Sequence, residues 1–142
     1  MQTEDFLTYS VPRLIGQVAD TSLAQIDSYV AENAIGFGEA VKRGTDTAKQ
    51  IKKLDNITDF LGIAVRNERE ATGDYPANNM VSVLTFGRVV VKTSEAVVAG
   101  DKAYVHADGK FNKTATDGLL IGTFMSNQPT ADNLVIMQIG KK

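Results

Sequence analysis

The sequence predicts a mainly β fold, a compact β-barrel or β-tulip-like domain made of two related β-units behind an extended N-terminal arm. Three observations carry that expectation. Apolar residues come in short runs or alternate with polar ones, at strand rather than helix spacing. The pair Asp108-Gly109 stands between two strand-like runs, the strongest short-range signal of a β-hairpin. A set of glycine-bounded patterns in the first half recurs in the same order in the second.

The first twenty residues hold Phe6, Leu7, Tyr9, Val11, Leu14, Ile15 and Val18 without a sustained period, broken by Pro12 and Gly16. This stretch, 1–20, is assigned as the arm, and 21–142 as one β-rich domain. The arm's apolar side chains need cover, from the chain's own core or from a neighbouring subunit. Phe6, Leu7, Tyr9, Val11, Leu14 and Ile15 are therefore the candidate contact residues for an interface with a neighbouring subunit or partner.

Residues 23–32 suit a helix through Leu23, Ile26 and Val30, and a strand through Ala24, Ile26, Ser28 and Val30; we assign a strand. Ala40-Val41-Lys42-Arg43 is a short strand that meets a turn at Gly44-Thr45-Asp46. A polar segment then leads to Phe60-Leu61-Gly62-Ile63-Ala64-Val65, a buried strand. Charged residues, Gly73, Pro76 and two asparagines make 67–79 a surface loop. Two strands follow, residues 80–86 and 88–92, with Gly87 between them as a bulge or bend. Residues 102–106 and 110–112 form the hairpin, its Asp-Gly turn assigned to type I′. Residues 119–125 and 134–139 are the last two strands, separated by a polar loop around Gln128-Pro129-Thr130. Many short strands at this spacing are the mark of a barrel or sandwich.

The recurrence pairs Gly38-Glu39-Ala40-Val41 with Gly100-Asp101-Lys102-Ala103, and Leu61-Gly62-Ile63 with Ile121-Gly122-Thr123. Each half closes on an apolar strand ending in glycine, at Gly87 and at Gly140. Two units are too few for an open array but enough to close on a shared core.

The totals narrow the function. At 142 residues the chain fits one domain. Its 43% hydrophobic and 23% charged content is that of an ordinary globular protein rather than a disordered or membrane one. No apolar run is long enough for a bilayer, and the first residues lack a basic leader region, so secretion is not expected. A net charge of −2 offers no field for nucleic acid, and the basic stretch Lys49-Gln50-Ile51-Lys52-Lys53 has no aromatic for base stacking and reads as solvated.

Chemistry finds little support. With no cysteine there is no thiolate nucleophile or thiolate metal site, and with one histidine, His106, there is no multi-histidine centre. His106 adjoins the hairpin turn, a poor place for a shielded base. Gly36-Phe37-Gly38-Glu39-Ala40-Val41 starts like a dinucleotide-binding turn, but Val41 replaces the third glycine and no helix follows. Glu68, Glu70 and Asp74 lie in a loop beside Arg66 and Arg69, a charge network rather than an acid–base pair, and their spacing does not fit an EF-hand. Asn56-Ile57-Thr58 and Asn112-Lys113-Thr114 match the glycosylation pattern but are read as unmodified. No catalytic residue, cofactor or metal is assigned.

Several segments, in order, resemble the phage structural cement or capsid decoration proteins. They are Ala19-Asp20, residues 27–32, Ile35-Gly36-Phe37-Gly38-Glu39-Ala40-Val41-Lys42-Arg43-Gly44, residues 60–65, residues 81–89 and residues 99–105. The resemblance covers roughly residues 13 to 140. It implies a non-enzymatic virion protein, made in the host bacterial cytoplasm, that binds the major capsid protein on the outer surface of the head. It further implies a homotrimer that stabilises the mature capsid, with no nucleic-acid or membrane partner. The competing expectations are a tail or baseplate β-module and, less favoured for want of tryptophan, a carbohydrate-binding barrel.

Overall fold

The computed structural model describes residues 15–66 and 74–140, with the side chains of 19–23 left aside. The strands are β1 (Val18–Ala31), β2 (Ile35–Gly36), β3 (Ala40–Arg43), β4 (Gln50–Lys53), β5 (Phe60–Ala64), β6 (Asp74–Tyr75), β7 (Met80–Thr93), β8 (Lys102–His106), β9 (Phe111–Asn112), β10 (Gly118–Phe124) and β11 (Asn133–Ile139). One 3-10 turn, Ile57–Asp59, is the sole helical element among the described residues. The fold is mainly β, as expected.

Nine strands form one sheet in the order β1-β4-β3-β5-β7-β11-β10-β8-β9, and β2 and β6 form a separate ribbon. The long β7 organises the sheet, since β1 and β9 at the two ends of this order also pair with it. Pairing thus runs in two circuits, β1-β4-β3-β5-β7 and β7-β11-β10-β8-β9, with β7 common to both. The apolar interior divides in a similar way. One cluster is confined to the first part of the chain and includes Ala31, Ile35, Val41, Ile51 and Tyr75. The other joins Ile63 and Leu84 to Val89, Phe111, Phe124 and Met137.

The strand assigned over 23–32 is present, but β1 begins at Val18, inside the stretch expected as arm. Gly16 and Gln17 are already tied to β7. The Gly16 amide donates to the Val90 carbonyl at 2.7 Å, and the Val90 amide donates to the Gln17 carbonyl at 2.8 Å.

Four expectations are corrected. The polar segment before Phe60 contains β4, because Ile51 between its lysines is fully buried while Lys49 and Lys53 stay in solvent. The expected surface loop ends in β6, where Tyr75 is 2% exposed. Its hydroxyl donates to the Val65 carbonyl, and its ring meets Phe37 edge-on at 5.3 Å. The two strands expected on either side of Gly87 are one, β7. Gly87 takes φ +136°, and the irregularity lies in β1, where Asp20 and Gln25 oppose Arg88 and Phe86. The 108–109 hairpin exists, but only Gly109 has positive φ (+84°), so the turn is not type I′. The Gly109 amide donates to the His106 carbonyl and the His106 amide to the Lys110 carbonyl. This is a turn closed by a left-handed glycine, with the Asp108 carboxylate accepting from the Lys110 amide at 3.0 Å.

Local geometry at Gly38 recurs at Gly100. The Gly38 amide donates to the Ala64 carbonyl, and the Gly100 amide to the Phe124 carbonyl, both at 2.8 Å. The return bonds, Ala64 amide to Glu39 carbonyl and Phe124 amide to Asp101 carbonyl, are both 2.9 Å. Glu39 and Asp101 each accept, through the side chain, from an amide three residues back, Gly36 and Val98, at 2.9 Å. Val41 opposes Gly62, as Ala103 opposes Gly122.

Candidate interaction surface

The residues that sequence reasoning offered as chemical candidates sit in structural roles. His106 Nε2 lies 2.7 Å from Asn112 Oδ1, and the Asn112 amide donates to Ser94 Oγ at 2.9 Å. These bonds tie β8 and β9 to the end of β7. Glu95 accepts from Thr114 Oγ1 through both carboxylate oxygens at 2.8 Å, holding the chain just after β9. Asn56 caps the 3-10 turn by accepting from the Thr58 amide at 3.1 Å. Asp74 is half-buried in β6, whereas Glu68, Arg69 and Glu70 lie outside the described residues. Among the described residues no group of three or more histidine or acidic side chains is placed to hold a metal.

Of the candidate interface residues, Phe6, Leu7, Tyr9, Val11 and Leu14 lie outside the described residues. Ile15 is half-buried against the cluster of Ile35, Phe37 and Val41, with its side chain beside Gly38.

The structure adds an apolar groove of about 690 Å³ that sequence reasoning missed. Its walls are Phe60 and Leu61 of β5, Leu119, Leu120 and Ile121 of β10, with Thr85, Lys102 and Gly140 around them. Leu120 is 52% exposed and the other four apolar residues partly so. The groove arises from how strands share β7. β5 meets β7 only through Ile63 and Ala64, and β11 takes the place beside β7 from Gly87 onward. β10 in turn meets β11 only through Gly122, Thr123 and Phe124. The first residues of β5 and β10 stay paired with β3 and β8 but not with β7 and β11, and the furrow lies there. The same apolar runs would be written whether they faced a core or a furrow, so no sequence signal marks it.

Beside the groove runs a second, more polar depression that shares Phe60 and Leu61 with it and adds Lys42, Arg43 and Asp59. Lys42 Nζ contacts Asp55 Oδ1 at 2.6 Å. That hydrogen bond raises the lysine above its ordinary value and lowers the aspartate below its own. Arg43 lies over the Tyr29 ring at 5.7 Å. On the far side of Gly44, Glu32 accepts from the Thr45 amide and hydroxyl, both at 2.8 Å, and these bonds hold its carboxyl below the usual range.

With an all-β frame and a surface of this kind in view, the chain belongs to the phage structural cement proteins. The model of that family, described as structural cement protein (E217 gp24/Pam3 gp6), matches residues 4–140. Among solved structures it is similar to a chain in the capsid of Myoviridae phage XM1, with a TM-score of 0.71 and 22% identity over 92% of both chains. It is also similar to the head fiber gp8.5 N base of bacteriophage phi29, with a TM-score of 0.56 and 15% identity over 83% of this chain and 95% of that one. At these identities the likeness is one of fold. No curated protein sequence matches the chain.

Proposed function

We propose that this protein cements the phage head by binding the outer surface of the major capsid lattice, without catalysis. The observation that carries the proposal is the family match over residues 4–140, nearly the whole chain. The fold likeness to a chain of a phage capsid supports it. The protein is then a component of the virion surface, made in the host cytoplasm and added to the shell.

The mechanism is mass action. A protein that binds the assembled shell better than the loose subunits stabilises the shell by that differential affinity. A homotrimer raises the effective concentration of each contact, so individually weak sites suffice. The two pairing circuits around β7, with their matched bonds at Gly38 and Gly100, support two related units closed as a compact barrel-like body. Such a body is a stiff plate on which contacts can be carried.

The N-terminal segment up to Ile15 is the contact element in this reading, reaching the capsid or a sister subunit through Phe6, Leu7, Tyr9, Val11 and Leu14. Deletion of residues 1–14, which spares the bonds of Gly16 and Gln17 to β7, is expected to abolish capsid binding while the domain still folds. Undiminished binding of the truncated protein would remove the segment from the mechanism.

A further inference from the structure

The edge of β1 that faces away from β7 is open before β4 reaches it. β4 pairs with β1 only at Val30 and Ala31. The Val30 amide donates to the Lys49 carbonyl on that side, and the Ala31 amide donates to the Asn79 carbonyl on the β7 side. Backbone bonding along a strand alternates between its two edges, and the register of β1 with β7 is regular from Ile26 to Val30. The amides and carbonyls of Ile26 and Ser28 therefore point outward, as the Val30 amide does, and among the described residues they have no backbone partner. The side chains beside this edge carry no charge on one face. Ile26, Ser28 and Val30 share that face of β1, with Ser82 and Met80 of β7 opposite Ser28 and Val30. Ile26 is 43% exposed and Met80 64%. An open edge with an exposed apolar face is a template for another strand.

A second copy of the same edge fits it in one register. Two β1 edges related by a two-fold axis pair antiparallel and must set outward-pointing residues against each other. Centred on Asp27, the pairing puts two carboxylates directly opposite, which is unfavourable. Centred on Ser28, it needs the Val30 amide, which is already bonded to Lys49. Centred on Ile26, it sets Ile26 against Ile26, Asp27 against Gln25 and Ser28 against Ala24, and no like charges face each other.

We propose that the β1 edges of two copies pair in this way, residues 24–28 of each forming one ladder centred on Ile26. The ladder involves far fewer residues than the roughly 20–30 a side of a stable interface, so it is weak between free molecules. It forms where copies are held side by side at high local concentration. Being two-fold, the contact links copies that a three-fold contact does not. The inference goes beyond binding to the shell, since the paired edges belong to the protein itself.

The natural absence of cysteine makes a clean test possible. Gln25→Cys, Ile26→Cys and Asp27→Cys are oxidised as concentrated, folded, full-length proteins, and dimers are read on non-reducing denaturing gels. Val98→Cys, at a position 57% exposed and outside β1, reports linkage by random collision. Residues directly opposite across antiparallel strands have Cα atoms about 4.5–5.5 Å apart, within the reach of a disulfide. The expected result is a dimer from Ile26→Cys, and from an equal mixture of Gln25→Cys and Asp27→Cys, about tenfold faster than from Val98→Cys. Gln25→Cys or Asp27→Cys alone should give little. Linkage at 25–27 no faster than at Val98→Cys would overturn the proposal, as would fast linkage of Asp27→Cys to itself. Since no capsid is present, this outcome is independent of whether the protein binds the shell.

Discussion

The amide of Gly38 donates to the carbonyl of Ala64 at 2.8 Å, fixing the start of β3 against the end of β5. Gly100 and Phe124 make the same bond between β8 and β10. Both glycines have positive φ, +79° and +99°, a region that side chains with a Cβ disfavour.

Within that frame, glycines serve two different ends, and substitution separates them. A Cβ on Gly122 would stand 1.7 Å from the Gln138 carbonyl oxygen, so Gly122→Ala is expected to cost about 3 kcal/mol or more. A Cβ on Gly100 meets nothing within 4 Å, so Gly100→Ala bears only backbone strain, about 1 kcal/mol. Urea denaturation of the two variants measures the difference.

Tyr75 tests the buried end of the segment expected as a surface loop. Tyr75→Phe leaves the Val65 carbonyl without its hydroxyl donor and is expected to cost about 1–2 kcal/mol. Tyr75→Ala also removes a ring that packs on Phe37 and should cost about 3–5 kcal/mol. A neutral effect of both would place the residue at the surface.

Stability should depend on pH at the extremes. Glu32 and Asp55 are lowered from 4.5 and 3.8, Glu32 by its Thr45 bonds and Asp55 by Lys42, so their contribution is present above those values. It is lost as pH falls through the still lower folded values. Lys42 is raised from 10.5 by Asp55, so its contribution is complete below 10.5 and is lost as pH rises through the folded value. Urea midpoints measured against pH should therefore be flat through neutrality, and Glu32→Gln should shrink the acid-side fall.

His106→Ala is expected to lower stability by about 1 kcal/mol, through loss of the Asn112 contact, and to leave capsid binding unchanged. Loss of binding in a folded His106→Ala protein would assign the histidine a direct contact.

Legibility in the sequence followed the physics of each element. β3, β8 and β11 show alternation or compact apolar runs between turn residues, and these come through from local pattern alone. β4 does not, because its single buried anchor, Ile51, stands among polar and charged residues, with Lys49 and Lys53 in solvent. β6 is two residues long and adjoins Pro76, too short for any period. The Asp108-Gly109 signal located the hairpin but not its turn, since the same pair serves a turn with one left-handed residue as well as with two. The groove was invisible because Leu120 is written like a core leucine, and only the departure of β10 from β11 exposes it.

The central claim is most directly tested by co-sedimentation of the purified protein with mature capsids of its phage stripped of cement protein. The account predicts saturable binding at a fixed number of copies per capsid. Absence of binding to every maturation state of the shell would contradict it and direct the search to tail or baseplate proteins and glycans.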